Sequence, residues 1–359
     1  MRKLASIQAI RELRPIEHAD MIELVFIMGW QCVAKKGEFK AGDLCVYFEV
    51  DAFLPDGDLR YEFLRGNSYR NNEFMGAGFR IKTMSMRGQI SQGLALPICL
   101  FDEEFKEIEI SEGLDVTEIL SVRKWEIPEM AGSAGTQIGE KPYGIPTTDE
   151  TRIQSAPEYI DAFKGKPYYI STKMDGTSCT VYAKDGKVGV CGRNFEYKEE
   201  VDKCPMWKFV VESGLKERLT EYGENLVLQG EFCGEGIQKN RMRLNKPNLF
   251  IFDAGLILKT GGVKKYGLSE MLDICEKFKL DTVPIEETAA SFDYTLDEIL
   301  ERARGKYDSG LDKEGIVVRT QDMSCGEFSA DKSDGGMISI VRRMSFKVIN
   351  NDFLKKEKG

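Results

Sequence analysis

The chain has 359 residues, of which 42% are apolar and 10% aromatic, and it carries a formal charge of −9. This composition is typical of a globular protein, excludes a disordered one, and at this length favours about two domains. No apolar run approaches the roughly 20 residues of a membrane helix, and the negative charge argues against binding to nucleic acid or membranes through bulk charge.

Residues 3–120 contain short apolar runs separated by turn residues, the pattern of β-strands. The predicted strands are Leu24–Met28, Gln31–Ala34, Leu44–Glu49, Phe79–Met86 and Gly93–Pro97. Short strands at this spacing predict a small barrel. Residues 128–146 are rich in glycine and proline, so we place a linker there, between domains at residues 1–127 and 147–359.

The second domain opens with a partly helical segment, Thr147–Phe163, and then returns to strands. The predicted strands are Tyr168–Lys173, Ser178–Ala183, Val188–Cys191, Leu226–Phe232, Leu249–Leu258, Gly315–Arg319 and Ser345–Ile349. The turn at Lys184–Lys187 predicts a hairpin. Ser269–Leu280 is predicted as a helix with one apolar face, formed by Met271, Leu272, Cys275 and Phe278. The pattern predicts an α+β domain built on an antiparallel sheet.

Two stretches hold much of the negative charge. Residues 101–118 contain eight acidic residues and one lysine, and residues 281–301 contain seven acidic residues and no Lys or Arg. The rest of the chain is therefore net positive, so a nucleic-acid partner must be argued from local surfaces. We expect both acidic stretches to lie away from the candidate site described below.

Nine cysteines without a C-x-x-C pair, together with a single histidine, His18, indicate buried reduced thiols rather than a zinc site. The N-terminal residues do not resemble a signal peptide, and we expect a cytoplasmic protein. A single histidine also removes the usual general base. Any chemistry must therefore use lysine, carboxylates and metal.

Lys173, Asp175 and Gly176 form a K-x-D-G sequence at the end of a predicted strand. Residues two apart in a strand point the same way, so the amine and the carboxylate share a side, and the glycine permits a turn. Alone this match is weak, because a surface turn with a Lys–Asp pair explains it equally well. Its companions, in chain order, are Gly230-Glu231, Phe252, Glu314-Gly315 and Lys347.

In this order the residues resemble the motifs of the covalent nucleotidyltransferase superfamily, which contains polynucleotide ligases and RNA capping enzymes. The matching positions are Lys173-Asp175-Gly176, Arg193-Asn194, Glu231, Phe252, Glu314-Gly315 and Lys347. Residues 230–240 are similar to phage-type RNA ligases, and residues 78–94 resemble the N-terminal OB domain of a related group of RNA ligases. The resemblance implies an N-terminal OB-type β-barrel followed by an antiparallel-sheet nucleotidyltransferase (adenylation) domain, which is ATP-grasp-like.

The resemblance implies that Lys173 accepts AMP from ATP. The attacking amine must be neutral, so the site must lower a pKa that is ordinarily ~10.4. A Mg²⁺ or Mn²⁺ ion held by Asp175, Glu231 and Glu314, through waters, would supply the positive charge. Lys347 would then stabilise the charge that develops on the phosphates.

Seven further residues are implied to bind the nucleotide: Phe252, Val317, Arg193, Asn194, Thr172, Gly176 and Arg152. Phe252 offers a face for adenine and Val317 closes the opposite side. Arg193 and Asn194 would contact ribose or the 5′-phosphate, and Arg152 would reach the ATP phosphates. Without the motif order, other interpretations exist for three of these residues. A phenylalanine such as Phe252 is more often a core residue, and Lys347 is more often a solvent-facing residue of a strand. For Arg152, a solvated helix face is about as frequent as a phosphate contact.

Two positions depart from the family pattern. Ser178 stands where capping enzymes and DNA ligases usually have Arg and phage-type RNA ligases have Asn, and Ile349 replaces the second lysine of phage-type enzymes. The chain ends soon after Lys347, without the C-terminal OB domain of DNA ligases and capping enzymes. We therefore favour an ATP-dependent RNA ligase, with a DNA ligase, a guanylyltransferase or an inactive RNA-binding OB protein as alternatives.

The expected partner is RNA with 3′-OH and 5′-phosphate ends, and we expect a monomer that does not bind membranes. Between Arg60 and Ile90, six basic residues alternate with aromatic ones, as on an OB surface that binds single strands. Four further basic residues follow Glu231 without an acid among them: Lys239, Arg241, Arg243 and Lys246. The alternative for both stretches is a solvated face above core aromatics.

Overall fold

A computed structural model describes residues 2–126, 136–259, 261–323, 327–333 and 336–355. The chain divides into two compact units. The first unit comprises Met1–Glu129, Gln154–Pro157 and Leu354–Gly359, and the second comprises Met130–Ile153 and Glu158–Phe353. The linker at residues 128–146 stays a prediction, and its residues 128–135 lie outside the described part of the chain.

The first unit is made of short antiparallel strands. They are β1 (Ala5–Ala9), β2 (Glu12–Pro15), β3 (Ile22–Ile27), β4 (Trp30–Lys35), β5 (Leu44–Phe48), β6 (Ala52–Pro55), β7 (Tyr69–Asn72), β8 (Gly76–Arg80), β9 (Met84–Met86), β10 (Gln89–Ser91), β11 (Leu94–Pro97) and β12 (Arg123–Lys124). One helical turn, α1 (Arg65–Ser68), precedes β7. The sheets run β1-β5-β11, β12-β6-β8-β7, β2-β3-β4 and β10-β9.

Strand β5 is buried on both faces, which explains its continuous apolar run. Val46 and Phe48 pack in one hydrophobic cluster, and Cys45 and Tyr47 pack in another. The single predicted strand Phe79–Met86 is wrong, because β8 ends at Arg80 and β9 begins at Met84. The main chain of Ile81 still bonds with Asp51 and Ala52, just beyond the last pair of the β6–β8 ladder, and the strand ends there.

The structure of the basic and aromatic stretch after Arg60 favours the alternative to an RNA-binding surface, which is a solvated face above core aromatics. Arg60 pairs with Asp58 and Glu104, Arg65 pairs with Asp56 and Glu62, and Arg80 pairs with Asp51. Tyr61 and Phe79 are fully buried, whereas Phe63 and Phe74 are exposed. Much of this stretch therefore serves the fold of the first unit rather than presenting free cations.

The second unit combines two main sheets with helices. Its strands are β13 (Gln137–Glu140), β14 (Tyr168–Lys173), β15 (Thr177–Lys184), β16 (Lys187–Cys191), β17 (Phe195–Tyr197), β18 (Leu226–Cys233), β19 (Asn248–Ile257), β20 (Val263–Lys265), β21 (Asp281–Thr282), β22 (Ile285–Ala289), β23 (Gly315–Thr320), β24 (Glu327–Ser333), β25 (Gly336–Arg342) and β26 (Ser345–Ile349). The helices from residue 159 onward are α2 (Tyr159–Phe163), α3 (Pro205–Glu212), α4 (Leu215–Tyr222), α5 (Leu268–Phe278), α6 (Leu296–Arg302) and α7 (Asn351–Lys355).

The larger sheet runs β13-β17-β16-β15-β18-β19-β20, with β21 parallel to β19, and the smaller sheet runs β22-β14-β23-β26. One face of the larger sheet packs on α3, α4 and α5 in a single hydrophobic cluster. The smaller sheet buries one face with Phe163 of α2 and Ile299 of α6. The opposite face of β14 contributes Tyr169 to the cluster of the larger sheet, so the functional end of β14 faces that sheet.

Several predictions of local structure are confirmed. Asp185 and Gly186 both have positive φ, as a two-residue hairpin turn between β15 and β16 requires. Helix α5 buries Met271, Cys275 and Phe278, but the prediction for Leu272 is wrong. Leu272 is 38% exposed because the i, i+4, i+7 stripe of the other three leaves it off the buried face.

Residues 137–140, which lie in the predicted linker, form strand β13 at the edge of the larger sheet. Of the eight cysteines in the described ranges, seven are buried and all eight are free thiols, while Cys99 is exposed. In the part of the chain that the structure describes, no helix is long and apolar enough to cross a membrane.

Candidate active site

Lys173 and Glu314 meet where the ladder between β14 and β23 ends. Lys173 pairs with Gly315 as the final rung, so Glu314 lies one residue before its strand begins. The Lys173 Nζ atom is 2.7 Å from Glu314 Oε2. Both side chains keep about a fifth of their surface exposed, 23% and 21%. The two predicted residues therefore form an ion pair that a ligand can reach.

Strand register places Val317 and Lys347 on the same face as Lys173. Ser171 pairs with Val317, and Val317 pairs in turn with Lys347 of β26. Because directly paired residues and residues two apart share a face, these side chains point toward the larger sheet. The prediction that Lys347 belongs to the site is consistent with this placement.

Glu231 faces the ion pair from the larger sheet, close to Gly176. A Cβ atom on Gly176 would come within 2.5 Å of the Cys233 sulfur and 2.6 Å of the Phe232 carbonyl oxygen. Only glycine lets the chain after Lys173 approach β18 this closely. The Gly176 amide donates to Glu231, which fixes this carboxyl group beside Lys173.

The charges of these groups perturb one another. Burial opposes the charge on Lys173, but the carboxylates of Glu314 and Glu231 outweigh it and raise the lysine pKa. Burial raises the pKa of Glu231 to about 7, with the negative charges of Glu314 and Asp175 adding to the effect. Burial and the positive charges of Arg152 and Lys173 lower the pKa of Lys347 to about 8. Groups shifted in this way are typical of functional sites.

Asp175 is held by an arginine that the sequence predicted to contact RNA. Arg241 Nε lies 3.2 Å from Asp175 Oδ2, and the arginine is only 8% exposed. Its guanidinium also lies over the ring of Phe353, at 4.3 Å. The prediction of Arg241 as a surface contact is therefore wrong, because the side chain is buried against the carboxylate of the site.

Phe252 lies at a bulge in β19, where the register with β18 shifts between Gln229 and Gly230. Gln229 pairs with Asp253 and Gly230 with Ile251, so Phe252 has no partner and shares the site face with Asp253. The Phe252 ring is partly exposed, and the Arg319 guanidinium lies 5.4 Å from its centre. The ring also packs against a small cluster that contains Met174, Cys233 and Val283, and its role as an adenine platform stays a prediction.

The other nucleotide residues divide into two groups. Arg152 forms a parallel bridge with Lys347, so it lies at the site. Arg193 pairs with Asp149 on an exposed surface, and the Asn194 carbonyl accepts from Lys141. Their predicted contact with ribose or the 5′-phosphate stays a prediction.

Thr172 points away from the site. Its side chain lies on the opposite face of β14 from Lys173, and its hydroxyl donates to Glu286 at 2.7 Å. The side chain of Thr172 is therefore not placed for its predicted contact with the nucleotide.

Ser178 occupies the position where this sequence departs from the family pattern. Its hydroxyl lies 2.8 Å from the Thr148 hydroxyl.

The expectation that both acidic stretches lie away from the site is wrong for residues 281–301. These residues form β22, which pairs directly with β14. Glu286 accepts hydrogen bonds from Thr172, Lys313 and Arg302. Its charge is thus neutralised on the far side of the strand that carries Lys173, and no pattern in the sequence indicates this pairing.

The three predicted metal ligands, Asp175, Glu231 and Glu314, do not form a direct metal cluster. Among the residues that the structure describes, no three His, Cys, Asp or Glu side chains come close enough to hold an ion directly. Glu314 pairs with Lys173, and Asp175 pairs with Arg241. The negative charges of Glu314 and Asp175 raise the pKa of Glu231. Such oxygen donors fit a hard divalent ion bound through water molecules, as Mg²⁺ prefers.

Comparisons with known proteins identify the family of the chain. A family model described as RNA ligase matches residues 166–335, and one described as an OB-fold domain matches residues 4–98. A sequence search of curated proteins gave no match.

Two solved structures of Naegleria gruberi RNA ligase are similar over the full chain. An apo variant has 35% sequence identity and a TM-score of 0.82, covering 99% of this chain and 98% of that chain. The ligase with pyrophosphate has 35% identity and a TM-score of 0.81, covering 100% of this chain and 99% of that chain. The chain belongs to the RNA ligase family, and the predicted N-terminal OB fold is confirmed.

Proposed function

We propose that this RNA ligase joins the 3′-OH and 5′-phosphate ends of RNA with ATP, through an AMP adduct on Lys173. Structures of Naegleria gruberi RNA ligase variants contain ATP and Mn, or AMP and Mn. At 34–35% identity over 99% of this chain, these relatives support ATP and a divalent ion as the cofactors here.

The ion pair between Lys173 and Glu314 is the observation that supports this proposal. The neutral Lys173 nitrogen attacks the α-phosphorus of ATP, a nitrogen–phosphorus bond forms as the bond to pyrophosphate breaks, and the nitrogen then loses one proton to water. The AMP group then passes to the RNA 5′-phosphate. Finally the 3′-OH attacks that phosphate and releases AMP.

The amine must first become neutral. In the free protein, Glu314 and Glu231 raise the pKa of Lys173, so the amine is protonated and cannot yet attack. A divalent ion at Asp175, Glu231 and Glu314 would supply the positive charge that lowers this pKa and neutralises the phosphate. Lys347 and Arg152 face the same space and would hold the phosphate oxygens.

Radiolabelled nucleotide tests the proposal directly. The protein is incubated with α-labelled ATP or GTP and Mg²⁺ or Mn²⁺, and covalent label is measured after denaturation. We expect label from ATP on the wild type, none on Lys173→Ala, and normal labelling of the control Lys187→Ala, whose side chain is exposed. Absence of an adduct on the wild type, or an adduct on Lys173→Ala, would contradict the proposal.

The labelled protein then distinguishes the substrates. Addition of RNA with a 5′-phosphate should remove the label, whereas RNA with a 5′-hydroxyl should not. Preference for nicked DNA, or labelling by GTP alone, would favour the DNA ligase or guanylyltransferase alternatives. We also propose that the protein is cytoplasmic and a monomer; light scattering after size-exclusion chromatography tests the monomer, and fractionation of cells tests the location.

A further inference from the structure

A buried tyrosine hydroxyl links the main chains of Lys173 and Glu314. Tyr307 Oη donates to the Lys173 carbonyl at 2.8 Å, and the Glu314 amide donates to the same Oη atom at 3.0 Å. The tyrosine is 9% exposed. One hydroxyl thus serves as donor to one residue and acceptor from the other, which uses its hydrogen-bonding capacity fully.

This link lies at the end of the strand ladder, where Lys173 still belongs to a rung and Glu314 does not. The final rung joins Lys173 to Gly315, so Glu314 has no rung of its own. The carbonyl of Glu314 is held separately, because it accepts from the Asn350 amide at 2.9 Å. Tyr307 therefore links the main chains of Glu314 and Lys173 across the end of the two strands, in addition to the ion pair between their side chains.

The loop around Tyr307 is itself ordered by hydrogen bonds. The Tyr307 amide donates to Leu311, and the Gly310 amide donates back to Tyr307, each at 2.9 Å. Burial raises the pKa of Tyr307, so the hydroxyl keeps the proton that it donates. A fixed loop with a protonated hydroxyl can hold the Lys173 carbonyl and the Glu314 amide at a constant separation.

We propose that Tyr307 is a positioning residue for adenylylation, which keeps the Lys173 amine and the Glu314 carboxylate in register when their ion pair separates for the nucleotide. This inference rests on the proposed function of Lys173. Once the amine leaves Glu314 for the α-phosphorus, the Tyr307 link remains between the two residues. A shift of about 1 Å in such groups can slow a reaction by about 100-fold.

The test is Tyr307→Phe, which keeps the ring and removes both hydrogen bonds. Single-turnover formation of the AMP adduct should slow by about 10- to 100-fold at saturating ATP, with little change in the ATP concentration for half-saturation. The matched control is Tyr294→Phe, which also removes a hydroxyl from the second unit, because Tyr294 donates to Glu287. The control should keep the wild-type rate.

Hydrogen–deuterium exchange gives a readout that does not depend on activity. In the wild type the Glu314 amide should be protected, and in Tyr307→Phe it should exchange about tenfold faster or more. A wild-type rate in Tyr307→Phe, or fast exchange of the Glu314 amide in the wild type, would overturn the inference. A wild type that forms no adduct refutes the function of Lys173, and exchange at Glu314 then decides the structural link alone.

Discussion

The second unit contains two clusters of charged side chains that differ in how their charges are balanced. The site cluster consists of Lys173, Glu231, Glu314 and Lys347. The paired network lies beside it and consists of Glu150, Asp253, Lys265, Arg319 and Arg343. In the paired network, Arg319 bonds to Glu150 at 2.9 Å, and Asp253 pairs with both Lys265 and Arg343.

The pKa directions separate the two clusters. Burial alone would raise the pKa values of Glu150 and Asp253, but the neighbouring cations lower both. In the site cluster, burial raises the pKa of Glu231 and lowers that of Lys347, so each is shifted against its own charge. The paired network therefore stabilises the charges of Glu150 and Asp253, whereas the site cluster disfavours the charges of Glu231 and Lys347.

This difference shows which cluster is built to receive a ligand. A network with balanced charges needs no further ion, whereas Glu231 and Lys347 would both regain their usual charge beside a cation and a phosphate respectively. Removing the charge of Asp253 should therefore destabilise the protein, whereas removing that of Lys347 should stabilise it. Two substitutions test this contrast, and a third lies outside both clusters.

The largest effect is expected for Asp253→Asn. This change leaves the buried Arg343 and the partly exposed Lys265 without their carboxylate, which should lower the free energy of unfolding by about 3–5 kcal/mol. Urea unfolding measures it. The control Asp281→Asn changes an exposed carboxylate that bonds Asn248, and should cost about 0.5 kcal/mol or less. Equal effects in the two variants would remove the distinction between the clusters.

Lys347→Gln should have the opposite effect on stability. Removing this charge from beside Lys173 and Arg152 should raise the free energy of unfolding at pH 7. Because the folded pKa of Lys347 is about 8 and its ordinary value is 10.5, the gain is complete below pH 8 and disappears as the pH rises to 10.5. Thermal unfolding across this pH range measures the change.

The same variant should lose activity while it gains stability. Adenylylation should slow by about 10²–10³-fold, because a cation that faces the phosphates is lost. Lys187→Gln, at an exposed strand end, serves as the control for both measurements. If Lys347→Gln lowers stability at pH 7, the site cluster is balanced in the same way as the paired network.

The smallest effect is expected for Arg193→Ala, which lies outside both clusters. Its exposed ion pair with Asp149 should contribute less than about 1 kcal/mol to stability. If the sequence-based role of Arg193 is correct, transfer of AMP to the RNA 5′-phosphate should slow about tenfold while adduct formation hardly changes. An unchanged transfer rate would leave Arg193 as a surface residue only.

Much of the site could be predicted because its residues follow strand periodicity and motif order. Lys173, Val317 and Lys347 share a face as their alternation indicates, and Gly176 occupies the close approach that its small size permits. Phe252 was identified by its motif position, although the bulge that orients it leaves no signature in the sequence.

Residues that act through long-range pairing could not be predicted. Arg241 follows a basic run, so its charge suggested RNA, yet tertiary packing buries it against Asp175. Glu286 belongs to an acidic stretch, and only the pairing of β22 with β14 brings it to Thr172. The link through Tyr307 depends on one loop that reaches two strand ends, which local sequence does not encode.

The bulge at Phe252 makes β19 sensitive to its length. Because side chains alternate along a strand, the extra residue allows Phe252 and Asp253 to share one face while Ile251 and Ala254 both enter the hydrophobic cluster on the other. Loss of a single residue here would turn one half of β19 over, and would place Asp253 in that cluster or remove Phe252 from the site. The site therefore depends on the number of residues in β19 as well as on which residues they are.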